Sequence, residues 1–403
     1  MKYSIDEVRF LEEKYGMPLQ VFDEKRFTDN YHALDQAMKA HYSRYQIAYS
    51  FKTNYTPYIC KTVFRLGGYA EVVSDMEYEI AKKVGFSDKH IIFNGPEKLT
   101  EIEKAFINGC ILNVDSLTEL KEICRITRQN VSKSFRIGLR VHLNLGHDFV
   151  SRFGMDEEDI AEAFQITAKE PNLSIVGLQC HISRRRDLAA WKLRTEIMLE
   201  LADRFFADVP EYLDLGSGMF GSMDPEFAKQ FDYIPSYEEY ASVTAGLVAK
   251  HYEGKEGPLL FTEPGTTLVN KFVDTLSKVR VIKQIEDRGF AILDASEHTL
   301  GETCMLKKLP LTVIPGGTKQ NYYDKIDLTG YTCLEQDVLF PEFRGQLAEG
   351  DFVIFGNTGG YSNVLKPPFI RPAGSIVVKD LNDEYHLVKT TESYKDILQT
   401  YIF

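Results

Sequence analysis

The stretch Ala48-Tyr49-Ser50-Phe51-Lys52-Thr53-Asn54 sets the reading of the whole chain. Together with Ile47, its first four residues form an apolar run that reads as a buried strand, so the amine of Lys52 emerges at the strand's carboxyl end. Parallel barrels keep their chemistry at that end. A lysine placed there is partly desolvated, can lose its proton, and can form a Schiff base with an aldehyde. Alone, a lysine after a strand is more often a solvated cap, so its company must decide.

Outward from this stretch, short apolar strands recur with helical segments between them. Gln46 to Ser50 is followed by Tyr69 to Val73, Ile91 to Phe93, Ile111 to Val114, Arg136 to Val141, Ile175 to Cys180, Tyr212 to Leu215 and Leu259 to Thr262. The connecting segments carry apolar residues at helical spacing, such as Met76, Ile80 and Val84 before Gly85. Eight strand-helix units over about 220 residues fit a closed parallel (β/α)8 barrel, an α/β fold of the TIM type. An open doubly wound sheet competes, but it would place a glycine-rich loop where Lys52-Thr53-Asn54 stands.

After Gly265 the chain changes to β-branched and aromatic strands broken by turn residues. They read as Phe272 to Leu276, Val279 to Ile282, Ala291 to Asp294, Leu311 to Ile314, Asp351 to Phe355 and Ser375 to Val378. The expectation is a barrel over residues 25–265 and an antiparallel β-sheet domain built from 1–24 and 266–403. Residues 5–15 read as an amphipathic helix, and Pro18 to Phe22 as a strand that joins the sheet.

With 403 residues, 44% of them hydrophobic, the chain can bury a large core. A net charge of -12 disfavours nucleic acid and anionic membrane as partners. No apolar run reaches a membrane span, and Met1 to Glu7 does not read as a signal peptide, so a cytoplasmic location is expected. Six cysteines without CxxC spacing indicate neither a zinc site nor a disulfide framework. No metal site is expected.

Polar residues gather at the carboxyl ends of the expected strands: Lys52, Glu71 and Ser74, Asn94, Asn113, Arg140 and Asn144, His181, Gly216-Ser217-Gly218, and Glu263. Gly216-Ser217-Gly218 reads either as a cradle of N–H groups for a phosphate or as an ordinary tight turn. Glu263, closing an apolar strand, needs a cationic partner, either a pyridinium N–H or a structural arginine. His181 reads as a ring for stacking on a heterocycle or as a satisfied core histidine. Lysine, phosphate loop, flat ring and carboxylate are together the parts that hold pyridoxal 5'-phosphate.

These residues stand in an order that resembles the fold-type III, alanine-racemase-like pyridoxal-phosphate decarboxylases, including diaminopimelate and ornithine decarboxylases. The resemblance spans nearly the whole chain. It rests on Ser50-Phe51-Lys52-Thr53-Asn54, Glu71-Val72-Val73-Ser74, Asn94-Gly95-Pro96-Glu97-Lys98, Ser151-Arg152-Phe153-Gly154, His181-Ile182, Asp214-Leu215-Gly216-Ser217-Gly218, Glu263-Pro264-Gly265, Cys333 with Asp337, and Gly360-Tyr361. It implies Lys52 as the Schiff-base lysine, Glu263 on the ring nitrogen, His181 on the ring face, and Gly216 to Gly218, Gly265 and Tyr361 near the phosphate. It further implies a homodimer with shared active sites, in which Cys333 from the partner protonates the carbanion after CO2 leaves. A neutral thiol close to Cα can serve as that acid.

Three positions depart from the resemblance, and all bear on substrate. Thr266 replaces an arginine, Leu334 replaces the acidic residue directly after the cysteine although Glu335 follows, and Ser183-Arg184-Arg185-Arg186 replaces a small turn. The expectation is decarboxylation of an amino acid or an anionic amino-acid conjugate, with Arg184 compensating for Thr266. A racemase or epimerase using Tyr331, and a non-catalytic regulatory relative, are the competing readings.

Overall fold

The computed structural model describes residues 2–98, 101–146, 150–317 and 319–403. The chain forms two units. The sheet unit comprises Met1–Asp29, Ser222–Asp232 and Leu268–Phe403, and the barrel unit comprises Asn30–Gly221 and Tyr233–Thr267. Ser222–Asp232 falls inside the range expected of the barrel, but Phe227 is buried among sheet-unit side chains such as Val279, Leu293 and Leu309.

The first strand, β1 (Leu19–Asp23), belongs to the sheet unit. The next eight close the barrel: β2 (Tyr45–Ser50), β3 (Tyr69–Val72), β4 (Ile91–Phe93), β5 (Ile111–Val114), β6 (Phe135–Arg140), β7 (Leu173–Gln179), β8 (Tyr212–Asp214) and β9 (Leu259–Thr262). Every neighbouring pair is parallel, and β2 closes on β9 through Tyr45–Leu260 and Gln46–Phe261. The strands are short apolar runs because a parallel barrel covers both of their faces. Helix starts are set by side chains that accept an early N–H: Ser74 from Glu77, Ser116 from Glu119, Asp156 from Asp159 and Asp187 from Ala190. The parallel pairing of all eight strands brings their carboxyl ends to one mouth.

The sheet unit holds β10 (Val273–Ile285), β11 (Arg288–Leu293), β12 (Leu311–Ile314), β13 (Asn321–Thr329), β14 (Val338–Leu347), β15 (Phe352–Phe355), β16 (Ser375–Lys379) and β17 (Tyr385–Lys389). With β1 they make one nine-stranded sheet. It is mainly antiparallel, with β1 on β16 and β11 on β13 running parallel. The strand expected at Pro18 to Phe22 is β1, paired through Leu19–Leu276 to β10 and through Leu19–Ser375 to β16. The two strands expected at Phe272 to Leu276 and Val279 to Ile282 are one. Ser277 bridges them, buried and donating its hydroxyl to the Val353 carbonyl at 2.8 Å. The helix Ile5–Tyr15 starts in a capping box of Ser4 and Glu7 and buries Val8 and Leu11 against Leu19, Val21 and Val377. Each such leucine or valine contributes about 1.5–3 kcal/mol.

Candidate active site

Lys52 sits in a single helical turn, Phe51–Thr53, directly after β2. Its amine donates to Glu71 Oε2 at 2.6 Å, and Ser50 Oγ donates to the same oxygen at 2.5 Å. The parallel register explains this meeting, since Ser50 lies opposite Glu71 on β3. Lys52 keeps 30% of its side chain accessible while Glu71 keeps 1%, so the amine is anchored by a buried carboxylate and still open to a ligand. Asn94, just beyond β4, continues the chain of contacts. Its Nδ2 donates to Glu71 Oε1 at 3.1 Å and also to Glu263 Oε1.

Glu263 follows β9 and is buried. Besides Asn94, Gln179 at the end of β7 donates to both of its oxygens, at 3.2 and 3.3 Å. Burial alone would raise its pKa, but His181 and the Lys52 ammonium outweigh it and hold the carboxyl low. Asp214, at the end of β8, goes the other way. Burial first, then the neighbouring Glu263 charge, pushes it well above the carboxylate range. Asp214 Oδ1 accepts the Gly216 N–H at 2.9 Å, while Oδ2 has no partner among the described residues. His181 Nδ1 lies 3.6 Å from Glu263 Oε2 and 3.3 Å from the Ser217 N–H. Burial lowers its pKa, and the Glu263 carboxylate opposes that shift.

The loop after β8 needs its glycines. At Gly216 (φ 66°) a Cβ would stand 2.1 Å from the Cys180 carbonyl, and at Gly218 (φ 100°) 2.3 Å from the Ile182 carbonyl. Gly265 lets the turn after β9 approach Lys52's own turn, since a Cβ there would meet Thr53 Oγ1 at 2.0 Å. Thr266 begins the short helix Thr266–Val269.

The helix begins at Leu188 with Asp187 as its cap, so Arg184, Arg185 and Arg186 lie in the loop ahead of it. Arg184 is exposed. Arg185 pairs with Asp187 at 3.0 Å and donates to the Leu145 carbonyl, and Arg186 lies over the Phe220 ring.

The remaining expected site residues belong to the sheet unit. Cys333, Leu334 and Glu335 lie in the loop between β13 and β14, with the thiol exposed. Buried Asp337 ties that loop, accepting from Thr332 Oγ1 at 2.6 Å, Thr332 N at 3.1 Å and Glu297 N at 2.8 Å. Tyr361 is half-buried in the left-handed backbone region, φ 57°. Gln179 and Arg194 are functional candidates that sequence reading passed over. Arg194 is fully buried in the helix Leu188–Phe205, on the same apolar stripe as Trp191, Thr195 and Met198. A charged residue at core spacing was the available signal.

The donor set fits pyridoxal 5'-phosphate: a reachable amine, a carboxylate held charged deep in the mouth, a glycine loop that no side chain could fill, and a buried oxygen with no partner. A closed parallel barrel with a reachable amine and a charged carboxylate at its mouth can hold an aldehyde cofactor by both ends of its ring. Residues 26–270 match the family "Pyridoxal-dependent decarboxylase, pyridoxal binding domain", and the chain belongs to it. The protein is therefore a pyridoxal-phosphate-dependent carboxy-lyase, and neither the racemase nor the non-catalytic reading is favoured.

Among curated relatives, diaminopimelate decarboxylase of Methanothermobacter thermautotrophicus is 28% identical, over 96% of this chain and 92% of its own length. That of Vibrio cholerae is 27% identical, over 96% and 93%. In fold, the chain superposes on M. jannaschii diaminopimelate decarboxylase in complex with L-lysine at a TM-score of 0.85 and 24% identity, covering 98% of this chain and 94% of that one. Among the described residues no helix is long and apolar enough to cross a membrane.

Proposed function

We propose that the protein removes CO2 from an α-amino acid, or from an amino acid carried within a larger anionic molecule, at a site shared by two copies of the chain. The observation that carries this reading is the unbroken network from Lys52 through Glu71 and Asn94 to Glu263. It links the two groups that would hold opposite ends of the cofactor ring. In this reading Lys52 Nζ holds the aldehyde carbon, Glu263 keeps a proton on the ring nitrogen, His181 lies on the ring face, and Gly216, Ser217, Gly218, Gly265 and Tyr361 take the phosphate. When bound, pyridoxal 5'-phosphate supplies an electron sink for the bond that breaks at Cα. Glu263 strengthens that sink by staying anionic. Glu71 steadies the Lys52 ammonium and can return the amine to the same place after each turnover.

Cys333 of the second copy would deliver the proton to Cα. Its exposure on a loop tied down by Asp337 suits a group offered to another molecule. An amino-acid substrate is supported by the names of the relatives and by the L-lysine bound to one of them. Leu334 removes the acidic group expected to grip a distant amine, which shifts the reading from diamino acids toward substrates with an apolar or anionic far end near Glu335, Thr266 and Arg184. Six cysteines without a disulfide agree with a cytoplasmic, reducing setting.

The test is spectroscopic and stoichiometric. Purified protein with pyridoxal phosphate should absorb near the visible edge and release CO2 from one member of a panel of acidic, apolar and diamino acids. Lys52→Ala should abolish both. Mixing Lys52→Ala with Cys333→Ala should restore about a quarter of the wild-type sites, because only the mixed dimer has one complete site. No recovery on mixing removes the shared-site reading, and unchanged absorbance in Lys52→Ala removes the whole assignment.

A further inference from the structure

Arg194 is a buried cation that the reading above does not use. Among the described residues its guanidinium forms no ion pair with a carboxylate, and its Nε has no partner. Burial lowers its pKa, as expected for a charge with no counter-ion in contact. Instead it stacks on Trp191, 4.0 Å from the ring centre, and donates to three carbonyls: Leu215 at 2.9 Å, Ser217 at 2.7 Å and Ile182 at 3.2 Å. A buried arginine held only by backbone oxygens fixes the direction of the peptides that carry them.

In a trans peptide the N–H points opposite to the C=O of the same plane. Arg194 therefore turns three N–H groups away from itself: Gly216, Gly218 and Ser183. Asp214 already accepts from Gly216. The N–H groups of Gly218 and Ser183 donate to nothing among the described residues. Their peptides are neighbours, since a Cβ on Gly218 would stand 2.3 Å from the Ile182 carbonyl. Two donors are thus aimed outward from one buried charge, which polarises both peptides in the direction an anion requires.

We propose that Arg194 is the positioning residue of this anion cradle and that the cofactor's phosphate dianion occupies it, with Ser183 and Gly218 N–H as donors. The guanidinium never touches the ligand. It acts through two peptide planes, so its charge reaches the phosphate while its side chain stays dry. The inference rests on reading the glycine loop as the phosphate site, and it adds the group that makes the loop competent.

The experiment compares pyridoxal 5'-phosphate with pyridoxal, which lacks the phosphate, as ligands of the apoenzyme, read by absorbance and fluorescence without turnover. In Arg194→Met the dissociation constant for pyridoxal phosphate should rise about a hundredfold, while that for pyridoxal stays within about threefold, because the lost term is electrostatic and directed at phosphate. Arg194→Lys, which keeps the charge but not the three-way fork, should lie between them at about tenfold. Inorganic phosphate should compete with pyridoxal phosphate in the wild type and lose that ability in Arg194→Met. Equal weakening of both ligands in either variant assigns Arg194 a purely structural role and overturns the proposal. A changed substrate KM with unchanged cofactor affinity also overturns it, by moving the anion site to the substrate. If Arg194→Met does not fold, Arg194→Lys and the phosphorus NMR shift of its bound cofactor decide, and a shift identical to wild type counts against the proposal. Wild-type protein that binds pyridoxal as tightly as pyridoxal phosphate would instead remove the phosphate reading of the loop itself.

Discussion

Both units bury carboxylates, but they use them differently. In the sheet unit Asp337, Asp351 and Asp294 each accept backbone N–H groups beside one side-chain donor: Asp337 from Thr332 and Glu297 with Thr332 Oγ1, Asp351 from Gly316 and Ala348 with Gln320, Asp294 from Lys278 in β10 with Arg280. At the barrel mouth Glu71 and Glu263 accept from side chains, namely Ser50, Lys52, Asn94 and Gln179. Among the described residues, Asn357 is the sheet unit's one buried side chain with an unpartnered polar atom, whereas the barrel unit has several, Asp214, Gln179 and Arg194 among them. A carboxylate that closes a loop stabilises the fold, and one that faces other side chains keeps capacity for a ligand. The contrast separates groups whose loss should be felt in stability from groups whose loss should be felt in turnover.

The largest effect expected from this contrast is on turnover. Glu263→Gln, which cannot hold a negative charge opposite a protonated ring nitrogen, should lower kcat about a hundredfold, roughly 2.7 kcal/mol of barrier. Its urea midpoint should fall only modestly, since the fold favours the Glu263 charge that is lost while the amide oxygen remains an acceptor for Asn94 and Gln179. A large loss of stability with kcat intact would erase the distinction. Asp337→Ala is the mirror experiment. Removing an acceptor for two backbone N–H groups should cost about 2–4 kcal/mol in urea unfolding, with cofactor affinity unchanged when measured below the transition. Stability equal to wild type would show that the sheet carboxylates are not ties.

The smallest expected effect is the pH dependence of His181. Its folded pKa lies below the ordinary 6.5 because of burial. The unfolded chain takes up that proton first, so the contribution of His181 is fully present above pH 6.5 and is lost as pH falls toward the folded value. At most one proton is involved, a slope of no more than about 1.4 kcal/mol per pH unit. His181→Gln should flatten the acid side of the stability curve by less than that amount, measured by melting the apoprotein between neutral and mildly acidic pH. Parallel curves would mean that the ring is not held neutral.

How far the sequence could be read follows from the same contrast. The barrel strands were legible because both faces of each are covered, so they appear as continuous apolar runs, and Ile91 to Phe93, Ile111 to Val114 and Leu259 to Thr262 have the bounds read from the sequence. β13 and β14 were not, since Asn321–Thr329 is exposed over its first half and Val338–Leu347 carries Pro341 and Gly345. Ser277 and Lys278 look like a break and are strand, because the Ser277 hydroxyl finds the Val353 carbonyl and Lys278 pairs with Glu12 at 2.6 Å. At the mouth, the chemistry of lysine, carboxylate and glycine turn could be read from strand ends. Gln179 and Arg194 could not be weighted in the same way, since an amide inside a strand and a charge on a helix gain meaning from partners distant in sequence.

The position of β1 has a further consequence. This strand is made before the barrel, yet it lies in the middle of its sheet between β10 and β16, whose residues Leu276 and Ser375 arrive only after the whole barrel has been synthesised. A nascent chain leaving the ribosome would therefore finish the barrel while its own first strand stays unpaired. The last hundred or so residues then act as the clasp of a necklace, and chains that lose them would keep β10 but not β16, leaving one edge of β1 open to a neighbour.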